Sequence, residues 1–334
     1  MINVHEAISG IVMFCDESLL AVNIGNGYSF KKNRFEDLPF KDKIIDGQGR
    51  IASAYFMSRL IENGVTSFIC IEKDGLFQIN GPIITGKAQQ FTDKEMMCED
   101  EINHHRQEEM EYINMMVDLL HVFKMGNIGF HDIFTTYQFT VLGIINNTTN
   151  HNNFYASRNI VDSRKYTLSP EEAILCNQFL NDYSGAVYTL LANCIKEFSW
   201  GLEQLDIATS FEQFTTALEM TLLEHNQQAK KQTLANRVSS MIGKNNSEIQ
   251  QIHQKMLDFY RFRSESLHEG DSSNISENDV RDLEEIVRLV LKDCLQRCRQ
   301  EYTANQSITW TEIKTSMIND LKTKVGGLQS QGVI

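Results

Sequence analysis

The stretch Tyr260-Arg261-Phe262-Arg263-Ser264-Glu265-Ser266-Leu267-His268-Glu269-Gly270 holds the residue types best suited to phosphodiester chemistry in this sequence. It ends an amphipathic pattern, Ile249, Ile252, Met256, Phe259 or Tyr260, Arg263 and Leu267, in steps of three and four residues. Arginine is rarely buried unless paired, so Arg263 on an inward stripe calls for a reason. His268 follows in the last turn, before a glycine able to stop a helix in the left-handed conformation. RNA carries its own nucleophile, the 2′-hydroxyl, beside the scissile phosphate. Cleavage then needs deprotonation, in-line alignment and charge stabilisation. A histidine titrating near neutrality can move the proton, a contribution of about 10²–10⁴-fold. A guanidinium can grip two phosphate oxygens and stay charged throughout. No metal or other cofactor is required, and none is expected.

Spacing sets a condition on this pair. Five residues along an ideal helix leave Arg263 and His268 about 140° apart around the axis. They converge only if the last turn loosens toward Gly270, or if a second copy of the helix completes the site across a two-fold axis. A plainer reading is also open. Arg263 can pair with Glu219 or Glu265, and His268 can cap carbonyls at the helix end.

The elements that must position these residues fall into two regions. Residues 1–150 read as an α+β domain. Ile11 to Ile24 is strand-like and runs into the turn Gly25-Asn26-Gly27, and Phe68–Ile71 and Leu76–Ile79 flank Lys73-Asp74-Gly75 as in a hairpin. Helices are expected over Ile51–Ile61 and Glu99–Lys124, with a strand over Phe134–Ile145 and a polar loop over Asn146–Asn153. From residue 168 to about 325 the pattern is helical throughout. Ser169-Pro170-Glu171-Glu172 is a helix start, with a capping side chain, a first-turn proline and acids at the positive helix end. Apolar stripes follow at Tyr183–Phe198, Phe211–Leu222 and Leu234–Met241. The Arg263 helix is expected to open at Ser247 with Gln250, and the next at Ser276 with Asp279, each as a capping box. Trp310, Ile313, Met317 and Leu321 mark a last helix before a glycine-rich, frayed tail.

These pieces together carry a resemblance. Ala217-Leu218-Glu219 with Leu222-Leu223, Leu234-Ala235-Asn236-Arg237-Val238, the Tyr260-to-His268 motif and the Leu283–Leu291 helix stand in the order and spacing of one family. From about Ser210 to Leu295 the chain resembles the Apea-like branch of the HEPN (higher eukaryotes and prokaryotes nucleotide-binding) superfamily. The resemblance implies an antiparallel helical bundle, a homodimer, and a metal-independent endoribonuclease of the kind found in phage defence, abortive infection and toxin systems. It makes Arg263 and His268 the catalytic pair, with Glu219 and Ser264 in support. Arg237 is left between a structural role and a phosphate contact. The substrate implied is RNA, tRNA included. An inactive scaffold binding a partner protein or a nucleotide is the alternative within the same family. Some toxin members follow the histidine with a modifiable tyrosine; here Glu269-Gly270 follow, which puts that mode of regulation in doubt.

The resemblance barely touches residues 1–150, apart from a short likeness at Val117–Gly126. A sensing or partner-binding role that restrains the nuclease is expected there. His104-His105 with Asp100 and Glu108 have helical spacing for a metal, although an exposed acidic helix face is the favoured reading. The net charge of −13 excludes a general nucleic-acid coat protein, whose affinity rests on a broad basic surface. It allows an enzyme that grips a few phosphates locally. Seven cysteines without a Cys-x-x-Cys pair, no apolar tract of about 18 residues and no signal-peptide pattern lead to the expectation of a reduced, cytoplasmic protein without membrane contact. Cys294 and Cys298 lie on an apolar stripe and read as core.

Overall fold

The computed structural model describes residues 1–38, 67–80, 91–141, 144–153, 165–204, 206–269 and 272–334; of residues 35, 91–99, 131–132, 141, 144–153 and 268–269 it describes the backbone alone. An N-terminal α+β region with an antiparallel sheet precedes a mainly helical region. The chain divides into two compact units, one of residues 1–116, 128–156 and 165–177, the other of residues 117–127, 157–164 and 178–334. The expected helix at Ile51–Ile61 lies outside the described residues.

The first unit is built on five antiparallel strands, β1 (Ile2–Met13), β2 (Ser29–Arg34), β3 (Ser67–Ile79), β4 (Gly129–Val141) and β5 (Ile144–Asn153), in the order β2-β3-β1-β4-β5. Helix α1 (Phe91–Phe123) begins in this unit, and its Ile102 packs with Val4, Ile79, Tyr137 and Phe139. Three local expectations are corrected. Strand β1 ends at Met13, and Glu17–Ala21 is a 3-10 turn capped by Asp16, so only the beginning of the Ile11–Ile24 run is extended. The turn that follows is present, with positive φ at Gly25, Asn26 and Gly27. Strand β3 runs unbroken through Lys73-Asp74-Gly75, which pair with Ile8, Ala7 and Glu6 instead of turning. The turn-like residues answer to a different need. Lys73 is drawn inward to Glu6, at 3.0 Å, and to Glu109 on α1, at 2.7 Å. A side chain at position 75 would meet the Glu6 carboxylate at 3.3 Å, so glycine makes room for a buried acid. The asparagine-rich segment is likewise no loop. It is edge strand β5, which needs only backbone pairing to β4 along its whole length.

The second unit contains α3 (Ala186–Glu203), α4 (Ile207–Leu222), α5 (Lys230–Ile242), α6 (Asn246–Glu269), α7 (Glu277–Ala304) and α8 (Trp310–Ser330), preceded by α2 (Pro170–Tyr183), which begins in the first unit. Each helix buries the stripe that its sequence marks. Phe198, Phe211, Phe214, Leu218, Val287, Val290, Cys294 and Cys298 are all essentially inaccessible. Phe211 meets Phe259 of α6 edge-on at 5.4 Å. The Ser276/Asp279 capping box forms as expected. Helix α6 starts two residues earlier than expected: Asn245 accepts from the Glu248 amide, and Glu248 accepts from Lys244. The glycine-rich end is not frayed. Leu328 and Val333 are buried against Ile249, with Ile334 packed beside them, and this apolar contact holds the last turn. Among the described residues no helix is long and apolar enough to cross a membrane.

Candidate active site at Arg263

Helix α6 delivers Arg263 to the inner side of the bundle because Met256 and Phe259, on the same stripe, are buried at 1% and 2% exposure. At the next step the stripe meets the end of α4 instead of apolar core. Glu219, in the last turn of α4, accepts from Arg263 Nη1 at 3.2 Å; both side chains are largely buried. Glu265 is engaged elsewhere, accepting from Asn274 at 3.1 Å, so of the two partners left open for Arg263 the structure has Glu219. Lys230, on the first turn of α5, approaches the other Glu219 oxygen at 3.7 Å. The Tyr260 ring lies 5.8 Å from the guanidinium carbon. Burial, aided by Glu219, raises the Tyr260 pKa above its usual value and keeps the phenol neutral.

Two features of Arg263 bear on chemistry. Its Nε is buried without a hydrogen-bond partner, an uncommon and costly state for a guanidinium. One of its terminal nitrogens donates to Glu219, which fixes the orientation of the fork. The fork of a guanidinium is a shape that suits a phosphate.

The other sequence candidates fall as follows. Ser264 is exposed beside Arg263. His268 lies in the last turn of α6, whose backbone stays α-helical through Glu269; the His268 side chain lies outside the described residues. Convergence through a loosened last turn is therefore not what the helix does, and at the backbone the two positions keep their separation of about 140°. Arg237 is structural. It is buried at 3% exposure, donates to the Leu222 carbonyl and to Gln227, and pairs with Glu224 at 3.0 Å. With Lys314, which donates to the Met220 carbonyl at 2.6 Å, it satisfies the last carbonyls of α4 and places positive charge at the negative helix end. This double cap fixes the turn that carries Glu219. Lys230 and Lys314 were not among the sequence candidates. Neither lies on an apolar stripe, and only the packing of α5 and α8 around the α4 terminus brings them in.

In the first unit the α1 helix is not simply a solvated acidic face. His105 turns inward, with Nε2 2.9 Å from Glu6 and its ring stacked on Phe77 at 3.8 Å. Glu109 is buried and accepts from Tyr28 at 2.6 Å. Glu6, His105 and Glu109 lie close enough to share a cation, but the Lys73 ammonium already binds both carboxylates. His104 and Glu108 do stay at the surface.

No protein-family model, curated protein or solved structure matches this chain.

Proposed function

We propose that this chain is a HEPN-type endoribonuclease that cuts RNA by attack of its own 2′-hydroxyl, with Arg263 and His268 as the catalytic pair. The observation that carries the proposal is Arg263 itself: an inward arginine aimed by Glu219, its buried Nε left without a partner at a cost that packing alone would not retain. In the proposed step His268 takes the 2′-hydroxyl proton, the freed oxygen bonds to phosphorus, the bond from phosphorus to the 5′-oxygen breaks, and the imidazolium returns the proton to the leaving 5′-oxygen. The products are a 2′,3′-cyclic phosphate and a 5′-hydroxyl. Arg263 neutralises charge gathering on the phosphoryl oxygens. Because α6 stays helical to Glu269, the proposal pairs two copies of the chain so that their α6 ends face one cleft. The cellular setting proposed is phage defence, abortive infection or a toxin system, with the first unit as the sensing or partner-binding part and the cytoplasm as the compartment.

The test is incubation of the purified chain with total cellular RNA, tRNA included, in EDTA, followed by mapping of the new ends. The expected result is cyclic phosphate ends made by the wild type and not by Arg263→Ala or His268→Ala. Equal cleavage by all three proteins would overturn the assignment. An inactive scaffold would instead bind its partner equally well with either substitution.

A further inference from the structure

Glu219 has a second surface. Its carboxylate, with Lys230 beside it, also walls a cleft of about 620 Å³, within the range of small-ligand sites. Across from them α8 contributes Trp310 and Lys314, one turn apart and so on one face. His225 and Asn226, in the loop after α4, complete the polar side.

The charges in this cleft do not balance evenly. Glu219 is neutralised by Arg263 and Lys230, and Glu224 by Arg237 at 3.0 Å and Lys322 at 2.9 Å. The cleft's carboxylates are thus taken by other cations. Lys314 is half withdrawn from water, and its hydrogen bond goes to a carbonyl, Met220 O, not to an anion. Burial lowers its pKa below the ordinary lysine value. Glu224 acts on this ammonium from a distance but makes its direct ion pairs with Arg237 and Lys322, so a phosphate placed here would give Lys314 a direct anionic partner. One turn away, Trp310 lines the same cleft, and an indole is a surface on which a base can stack.

We infer that this cleft holds the nucleotide flanking the scissile phosphate of the substrate RNA, with Trp310 stacked on its base and Lys314 on its phosphate. The inference rests on the ribonuclease reading and narrows its substrate. A base can reach Trp310 only when it is unstacked and unpaired, so the RNA cut is a loop, bulge or single-stranded end and not a continuous duplex.

The experiment uses the full chain carrying Trp200→Phe, which leaves Trp310 the sole tryptophan. The probe is a short single-stranded 2′-O-methyl RNA, which lacks the attacking hydroxyl. Binding is read twice, by anisotropy of the labelled RNA and by Trp310 fluorescence. The expected result is saturable quenching by the single strand and none by a blunt duplex of the same sequence. Trp310→Ala should raise Kd about tenfold, read by anisotropy, while Trp310→Phe stays near wild type. Lys314→Gln should weaken binding and reduce the slope of log K against log salt by about 0.7, and Lys314→Arg, which keeps the charge and a donor for the Met220 carbonyl, should restore that slope. Binding by anisotropy without quenching, and with no effect of either substitution, would overturn the cleft and leave the nuclease standing. A free mononucleotide that quenches as tightly as the oligomer would overturn the substrate assignment. Quenching and duplex discrimination by a chain that cleaves no RNA would uphold the cleft as an RNA site and remove the nuclease.

Discussion

Arg263 and Arg237 are both inward arginines of the same bundle, and their surroundings assign them opposite work. Arg237 is saturated: a helix-end carbonyl, Gln227 and Glu224 all receive from it. Arg237→Met should destabilise the chain by about 2–3 kcal/mol, because the Leu222 carbonyl loses its donor in a dry place. Arg263 has one carboxylate partner and a buried nitrogen with none. Arg263→Met removes that unmet nitrogen and leaves Lys230 near Glu219, so stability should change by less than about 1 kcal/mol. Cleavage should fall by at least about 10²-fold, and Arg263→Lys should not restore it, since a point charge cannot reproduce the fork. Thermal melts run beside the cleavage assay check all three. A loss of several kcal/mol in Arg263→Met would move Arg263 into the structural class. The sequence left Glu219 and Glu265 as alternative partners of Arg263, and the structure has Glu219. The roles of Lys230, Trp310 and Lys314 were not legible, since a residue at a helix terminus carries no periodic signal of what packs over it.

At the level of elements, the site depends on how α6 leaves α5. Only residues 243–245 join them, and Gly243 is the tight point. A Cβ there would stand 2.7 Å from the Ser239 carbonyl oxygen and 2.5 Å from Ile249 Cγ1. The φ of Gly243 is −73°, so crowding, not backbone handedness, demands glycine. Gly243→Ala should cost about 1–3 kcal/mol and tilt α6, shifting Arg263 from Glu219. The expected readout is a lowered melting temperature together with a lowered cleavage rate in the protein that remains folded; normal values of both would disprove the tight joint. The helices from residue 170 onward were legible in sequence because capping residues such as Ser169 and Ser276 and the stripes that follow them obey local rules. The strands were less so. Lys73-Asp74-Gly75 has turn composition but serves a buried acid, and Asn146–Asn153 has loop composition but pairs at a sheet edge. The deciding partner of the first, Glu6, is distant in sequence; that of the second is the preceding strand β4, whose backbone pairing asks for no particular side chains.

Across the whole molecule, the two units carry buried acids whose titration runs in opposite directions. In the first, burial pushes Glu6 upward, but hydrogen bonds and charges from His105 and Lys73 outweigh it and hold its pKa below the ordinary 4.5. A carboxylate with a depressed folded pKa stabilises the fold above its unfolded value, and that stability is lost as pH falls through the folded value. In the second unit burial dominates at Asp118, so its pKa stands above the ordinary 3.8 although Ser199 and Tyr188 hydrogen-bond to it. Tyr188 donates at 2.5 Å. The sign reverses: the unfolded chain releases this proton more readily, so Asp118 costs stability as pH rises from 3.8 toward its folded value, and acidification relieves the cost. Hydrogen-exchange protection read separately in β1 and in α3 should therefore respond oppositely to acid, β1 below the ordinary carboxylate value of 4.5 and α3 above 3.8. Protection in β1 should fall, and Glu6→Gln should flatten that fall. Protection in α3 should hold or rise, and Asp118→Asn, which still accepts from Tyr188, should reduce that pH dependence without abolishing it, since burial also raises Glu197 and Glu203 on α3. A parallel loss in both units, unchanged by either substitution, would mean that neither acid governs the acid response of its unit.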